Sequence, residues 1–321
     1  MTEPPILSVV TPVYNEQEIV PDLVSRIVAS CRPLGVTFEM VVVNDGSRDG
    51  TLERLVGISG DVPELRVIDL MRNFGHMPAL SAGVALARGA AIIVMDGDLQ
   101  DPPELIPRFL EEWRAGADVV YGLRTARREP LVKRTMIGVF YALLDRITET
   151  KIPKQVGTFG LMDRQVVDVL NRMPERSRYF AGLRAWVGGR QSFVEYARPD
   201  RTAGGSRVGA QGLFRLARVA LISFSKVPLR YASTLSLAAG LALFLFGLWA
   251  IGEKLFTDKA IPGWATYSAL IGFMGFVQSL VLAIISEYIA VIFDEVKARP
   301  VFLVRQEFVQ GRPHRPGDAQ R

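Results

Sequence analysis

The chain has 321 residues, one cysteine, two histidines and a formal net charge of +5, with a pI near 9.4 and a mean hydropathy of +0.21. The length allows a large core and more than one domain, the single Cys31 excludes an intramolecular disulfide, and two histidines far apart in sequence, His76 and His314, argue against a His-rich zinc site. A basic, charge-rich chain with positive hydropathy must concentrate its apolar residues in segments, and its partner is either nucleic acid or an anionic membrane until the charges are located.

Ile6 to Val13 is an apolar strand ending in Tyr14-Asn15-Glu16, and Glu16 to Ser30 follows as an amphipathic helix with Ile19, Leu23, Ile27 and Val28 on one side. Phe38 to Val43 is a second buried strand. It closes in Asn44-Asp45-Gly46-Ser47-Arg48-Asp49-Gly50-Thr51 and leads into a short helix through Ile58. Leu65 to Leu70 is a third strand, followed by Arg72-Asn73-Phe74-Gly75 and a helix from Pro78 to Ala87. The apolar run Ile92 to Met95 then ends abruptly in Asp96-Gly97-Asp98-Leu99-Gln100-Asp101, with Pro102-Pro103-Glu104 opening a helix to Ala115 and Asp101 as its expected N-cap. Asp118 to Tyr121 is a further strand. Strands alternating with helices predict an α/β fold, a doubly wound and mostly parallel sheet. Neither a dinucleotide-binding G-x-G-x-x-G nor a phosphate-binding G-x-x-x-x-G-K-[ST] occurs.

The polar clusters Asn15-Glu16, Asn44-Asp45, Arg72-Asn73 and Asp96/Asp98 each follow a strand. In such a sheet they gather on one edge, outside the strands' carboxyl ends, where open α/β sheets bind ligands. Any one of them alone is ordinary turn chemistry; together they predict a nucleotide site. Asp45 is suited to accept from base or ribose, and Tyr14 or Pro12 to pack on a base. Asp96 and Asp98, with a carbonyl oxygen from Gln100, suit Mg²⁺ or Mn²⁺, hard cations that keep positions free for a diphosphate.

From Arg124 the chain turns basic through Arg127, Arg128, Lys133 and Arg134, either a solvated face or a second phosphate site, since Arg forks match phosphate oxygens. Lys133 to Arg146 reads as helical. Thr158 to Arg164 leads into a helix through Asn171, a polar patch begins at Pro174, and Phe193 to Ala197 reads as a late strand. Seven Lys and Arg residues between Arg198 and Arg230 face one acid, and Leu213, Leu216, Ala217, Ala220 and Leu221 recur at helical spacing, as in a basic amphipathic helix on a membrane surface. Tyr231 to Gly252 and Ala260 to Ser286 carry no charged residue, and both are long enough to span a bilayer, with Trp264 and Tyr267 as interfacial anchors. Basic residues flank the outer ends of this pair. The positive-inside rule therefore puts both termini and the catalytic part in the cytoplasm, a compartment that the lone cysteine and the lack of a secretory signal at the start also favour. The expected layout is a catalytic domain over 1–205, a juxtamembrane segment over 206–230, two spans within 231–286 (231–252 and 264–286), and an exit helix with a disordered tail over 287–321. Basic residues bordering membrane segments, without an aromatic-rich basic sheet motif, argue against nucleic acid.

These residues resemble the family 2 glycosyltransferases of GT-A fold, and more closely the polyprenyl-phosphate branch, the dolichol-phosphate mannose synthases and bactoprenol-phosphate glucosyltransferases. The resemblance runs from Ile6 to Val304 and is carried by Val10-Thr11-Pro12-Val13-Tyr14-Asn15-Glu16, Val43-Asn44-Asp45-Gly46-Ser47, Arg72-Asn73-Phe74-Gly75, Met95 to Pro103, Tyr121-Gly122-Leu123-Arg124, Phe224 to Arg230 and Glu287-Tyr288. It implies that Pro12, Tyr14, Glu16, Asp45 and Arg72 hold the nucleotide sugar, that Asp96, Asp98 and Gln100 bind Mg²⁺ or Mn²⁺ at its diphosphate, and that Arg124 and Arg134, near Thr158, meet the acceptor phosphate. The expected partners are a nucleotide sugar, a polyprenyl phosphate and the plasma or inner membrane, with a homo-oligomer compatible with all of these. The implied reaction is inverting glucosyl transfer from UDP-glucose. Mannosyl transfer from GDP-mannose, transfer to another membrane lipid and a non-catalytic nucleotide-sugar-binding scaffold are the alternatives. One departure stands out: related glucosyltransferases carry Gly-Asp-Phe-Arg-Leu where this chain has Gly157-Thr158-Phe159-Gly160-Leu161, so the family's acidic residue, and any general-base role there, is missing at Thr158.

Overall fold

In a computed structural model, the described residues are 5–124, 153, 156–173, 175, 178, 180–197, 227–257 and 263–314. They fall into two compact units, one holding the described residues up to Ala197 together with those from Arg299 onward, the other holding those between Val227 and Ala298.

The first unit is built on a sheet of nine described strands: β1 (Leu7–Val13), β2 (Phe38–Asn44), β3 (Leu65–Leu70), β4 (Ala91–Val94), β5 (Val119–Arg124), β6 (Val156–Asp163), β7 (Gln191–Tyr196), β8 (Val304–Val309) and β9 (Arg312–His314), in the order β7-β5-β6-β4-β1-β2-β3-β8-β9. The strands β3-β2-β1-β4 are mutually parallel, and only β6 and β8 run against the direction of the other seven. The predicted mixed, mostly parallel α/β sheet is therefore present. β1 is buried along its whole length, as a strand covered on both faces must be. Leu7, Val9 and Val13 join a core with Leu23, Ile27, Ile106 and Phe109 from α1 (Val20–Cys31) and α4 (Ile106–Arg114). On the other face, α3 (His76–Leu86) lies so close that a Cβ on Gly83 would meet Val10 Cγ1 at 2.4 Å. α2 (Thr51–Asp61) follows β2; α5 (Arg164–Arg172) and α6 (Phe180–Val187) follow β6.

The chain runs outward from β1 to β2 and β3, then returns to place β4 on β1's other side. That reversal is a topological switch point, and it opens a crevice beyond the carboxyl ends of β1 and β4.

Thr158 to Asp163 lies in the strand β6, antiparallel between β4 and β5, and leads into the expected helix, which begins at Arg164. Gly157 and Gly160 weaken helix there, whereas Phe159, Leu161 and Met162 are buried in the sheet. Two expectations need correction. Asp101 does not cap the following helical turn, whose N-cap is Pro102 without a side-chain bond; Asp101 is wholly buried instead. The tail expected to be disordered is instead strand over much of its described length, to His314. After the helices of the second unit the chain rejoins the sheet as β8, paired antiparallel with β3, and turns at Gly311 into β9. A buried ion cluster accompanies that pairing: Arg66 of β3 donates through Nε to Glu307 of β8 at 2.8 Å and through Nη1 to Glu39 of β2. The first unit thus includes residues from both sides of the apolar helices.

The second unit contains α7 (Val227–Thr257) and α8 (Trp264–Val296), which pack on each other. Their 31 and 33 residues give lengths of about 46 and 50 Å, beyond the ~30 Å of bilayer hydrocarbon. The stretches Tyr231–Trp249 and Leu270–Val296 are apolar enough to cross a membrane, and only 6% of each is buried. A core helix of a soluble protein would be mostly buried; here Leu237, Phe244, Ile271 and Phe276 are exposed. Such surfaces mark membrane association. α8 continues without a break past Ser286, so the expected exit helix is its last turns. The helix expected over Lys133 to Arg146 and the basic segment expected between Arg198 and Lys226 lie outside the described residues.

Candidate functional site

The loops after β1, β2, β3 and β4 meet at the switch point. Asn15 leaves β1 with φ 54°, its N–H donating to Ser47 Oγ at 3.0 Å, while its own Oδ1 accepts from Arg48 N at 2.9 Å. Glu16 N donates to Thr51 Oγ1 at 2.9 Å. The β1 and β2 loops are thus laced together. Asp45 joins β2's loop to β3's: its two carboxylate oxygens accept from Phe74 N at 2.7 Å and Gly75 N at 2.9 Å. Burial pushes the Asp45 pKa up, against the opposing pull of those N–H groups. Gly46 makes this junction fit: it has φ 63°, and a Cβ there would lie 2.5 Å from the Arg72 carbonyl carbon. Pro12 is buried in β1, Tyr14 is half-buried, and Arg72 is exposed with its guanidinium 4.2 Å from the Phe74 ring centroid.

Asp96, Asp98 and Gln100 share one short loop after β4. Gly97 packs where a Cβ would come within 2.7 Å of Pro12 O, tying this loop to the end of β1. Gln100 N donates to Asp98 Oδ1 at 3.1 Å, and Leu99 takes φ 58°. His76 Nε2 stands 3.3 Å from Asp96 Oδ1. Burial lowers the His76 pKa, but the Asp96 hydrogen bond and the charges of Asp96, Asp98 and Asp101 outweigh it and leave it raised.

Beneath the loop lies Asp101, with 0% exposure. Its Oδ2 accepts from Asp96 N at 3.2 Å and its Oδ1 from the Tyr196 hydroxyl at 2.8 Å. Burial, with the Asp96 charge adding to it, pushes the Asp101 pKa up to about 6. Tyr196 in turn accepts from Arg124 Nε at 3.1 Å. Arg124 packs on Gly157, where a Cβ would meet its Nη2 at 2.5 Å, and the wholly buried Arg184 donates to Gly157 O at 2.6 Å. Thr158 follows directly, half-buried in β6.

The fold therefore brings Pro12, Tyr14, Glu16, Asp45, Arg72, Asp96, Asp98 and Gln100 to the ends of adjacent strands, with Arg124 linked to the Asp96 loop through Tyr196 and Asp101. Arg134 lies outside the described residues. The sequence reading missed His76, Asp101, Tyr196 and Arg184. Asp101 carried only the look of an N-cap before Pro102-Pro103, which hides its burial under the loop. Tyr196 carried no signal, because only β5–β7 pairing sets it opposite Arg124.

The donor set fits a hard divalent cation. Asp96 and Asp98 offer carboxylate oxygens and Gln100 an amide oxygen, all half-buried on one loop. Three oxygen donors fill only part of the shell of about six that such a cation takes, so a substrate's oxygens would have to complete it.

Against known proteins, glycosyl transferase family 2 matches residues 8–170. An uncharacterized glycosyltransferase of Synechocystis is 40% identical over 299 residues, covering 93% of this chain and 94% of that protein. A bactoprenol glucosyl transferase of Shigella phage SfV is 37% identical over 304 residues, covering 94% and 98%. Among solved structures, a mannosyltransferase of Pyrobaculum calidifontis in complex with GDP-Man and Mn²⁺ is 18% identical with a TM-score of 0.44, covering 90% of this chain and 88% of that one. The chain belongs to glycosyl transferase family 2, and it is a glycosyltransferase with a GT-A-type sheet.

Proposed function

We propose that the protein transfers glucose from UDP-glucose to a polyprenyl phosphate, with inversion, using a divalent cation held by Asp96, Asp98 and Gln100. The observation that carries this reading is the joining of the Asp96 loop to Arg124 at the switch point, in a chain that also bears two long, exposed apolar helices. The names of relatives matched over nearly their whole length, bactoprenol glucosyl transferases among them, support the lipid acceptor and the sugar.

Pro12, Tyr14, Glu16, Asp45 and Arg72 bind the nucleotide, and Arg124, with Arg134, binds the acceptor phosphate. The bond from the anomeric carbon to the diphosphate oxygen breaks, and its electron pair leaves with UDP. A phosphate oxygen of the lipid forms the new bond to that carbon from the opposite face. When bound, the cation supplies Lewis-acid stabilisation of the leaving diphosphate. A phosphate monoester has a second pKa of about 6 and is already largely dianionic at neutral pH. It needs no base, so an uncharged Thr158 beside Gly157 is compatible with the reaction. It needs neutralisation and aim, which Arg124 provides as a guanidinium fork.

The acceptor's chain stays in the bilayer, and α7 and α8 cross it as a hairpin. The basic residues in the sequence on the outer flanks of this pair support a reading with both termini and the catalytic unit on the cytoplasmic side.

The test supplies membranes bearing the protein with labelled UDP-glucose or GDP-mannose and with undecaprenyl phosphate or diacylglycerol. Label in the polyprenyl phosphate product from UDP-glucose alone, abolished by chelator and by Asp98→Ala, is the expected result. Label confined to diacylglycerol, or drawn from GDP-mannose alone, overturns the substrate assignment. Full activity in Asp98→Ala overturns the metal assignment.

A further inference from the structure

We propose that Asp101 and Tyr196 are positioning residues that lock the Arg124 guanidinium to the Asp96 loop, so that the acceptor phosphate and the donor diphosphate are presented in one fixed relation. The proposal rests on the reading of Arg124 as the acceptor-phosphate contact and adds how that contact is aimed.

The three side chains come from separate stretches of chain. Arg124 and Tyr196 end the parallel strands β5 and β7 as direct register partners, and Asp101 ends the loop after β4. Asp101 divides its two oxygens between the two halves of the site, Oδ2 to the Asp96 backbone and Oδ1 to Tyr196. The Tyr196 hydroxyl donates to Asp101 and accepts from Arg124 Nε, so it is an oriented spacer between a carboxylate and a guanidinium. Arg124 Nη2 stays 3.9 Å from Asp101 Oδ1, beyond hydrogen-bond reach. Tyr196 cannot drift: it is 5% exposed, and its ring meets Phe159 edge-on at 5.4 Å between centroids.

Take the hydroxyl away and nothing separates the opposite charges. Arg124 closes the gap onto Asp101 and withdraws from the acceptor. The donor loop keeps its own bond, because Asp101 Oδ2 still accepts from Asp96 N. Loss of the spacer therefore acts on one substrate and spares the other, which a merely structural role does not do.

The experiment uses the full-length protein in membranes or detergent and compares Tyr196→Phe, Asp101→Asn and Arg124→Ala, varying undecaprenyl phosphate and UDP-glucose separately. Tyr196→Phe is expected to lower kcat/KM for the lipid phosphate about tenfold or more, the scale of one hydrogen bond to a charged group, with the UDP-glucose KM and the melting midpoint unchanged. Asp101→Asn, which keeps the side chain's size, is expected to weaken acceptor use in the same way. Wild-type acceptor kinetics in Tyr196→Phe beside an impaired Arg124→Ala overturns the positioning role while the function stands. Equal losses toward both substrates in Tyr196→Phe and Asp101→Asn overturn it as well. Full transfer by Arg124→Ala removes the acceptor assignment itself, and the positioning role with it.

Discussion

Glu307 tests how far the strand after the apolar helices belongs to the catalytic sheet. Arg66, Glu39 and Glu307 are 5%, 6% and 2% exposed. Glu307 Oε1 takes both Arg66 Nε at 2.8 Å and Nη2 at 2.7 Å, while Arg66 Nη1 turns to Glu39 and to Leu86 O at 3.1 Å. Glu307→Ala strips one whole edge of a buried guanidinium, which no water can then reach. Removing one partner of a buried ion pair costs about 3–5 kcal/mol, or about a hundred- to several-thousandfold in the unfolding constant. The control is Arg26–Glu104, which is also bidentate, at 2.8 and 3.0 Å, but has side chains 34% and 55% exposed. Glu104→Ala should cost about 0–1 kcal/mol, because solvent screens such a pair. The assay is denaturant unfolding of the full-length protein in detergent, read by modification of Cys31, which is wholly buried in α1 and becomes reactive only on opening. If Glu307→Ala costs no more than Glu104→Ala, the terminal strand rests on the sheet without holding it, and the extended catalytic unit is wrong.

Two further outcomes follow from single positions. Gly46→Ala would drive a Cβ into the backbone of Arg72 and Asn73, at 2.5 and 2.6 Å, whereas Gly35→Ala, at the same φ of 63°, meets nothing within 4 Å. Gly46→Ala should raise the KM for the nucleotide sugar about tenfold or more by parting the two loops that Asp45 joins, and Gly35→Ala should leave it unchanged; equal effects refute the close approach. Burial pushes the Cys31 thiol up to about 12. A raised acid holds its proton in the folded state, so its contribution is fully present below the unfolded pKa near 8.5 and is lost as pH rises from there toward 12. The wild type should lose about 1–2 kcal/mol more than Cys31→Ala between pH 8 and pH 10, measured by denaturant midpoints; parallel slopes refute the burial argument.

Legibility in the sequence followed the range of the interactions. β1 to β4 and their helices could be read because each is a local pattern, an apolar run closed by a polar turn, and the chain order of such units implies a parallel sheet. The strand-end residues Asp45, Asp96 and Asp98 could be read for the same reason. Failures came where a residue's environment is set by distant chain. β6 owes its strand to antiparallel partners on both sides and breaks local expectation with two glycines. Glu307 of β8 is separated from Arg66 by 241 residues, and no local pattern announces their pairing. Asp101 looks like an N-cap because Pro102-Pro103 follow it; its burial depends on Tyr196, 95 residues away.

The same distinction explains how the Asp96 loop is held ready. Leu99 sits at φ 58°, a conformation that costs a branched residue of the order of 1–2 kcal/mol. The loop keeps it because its apolar members are anchored: Met95 is wholly buried before it, and Leu99 itself packs against the core of α1 and α4. Asp101 fixes the backbone at Asp96 from below, and Gly97 fixes the loop against Pro12 from the side. The Asp101 bond meets the Asp96 backbone and the Gly97 packing meets Pro12 O, so both attachments grip main chain. In the reaction proposed above, a backbone fixed in this way would spare the carboxylates any rearrangement when charge develops on the leaving group, which is the preorganisation that makes electrostatic stabilisation effective. Asn15, at φ 54° on the neighbouring strand, repeats the arrangement: its strained turn is fixed by Ser47 and Arg48 rather than by a ligand. Both strained residues stand at the crevice between β1 and β4, so the switch point is shaped before any substrate arrives.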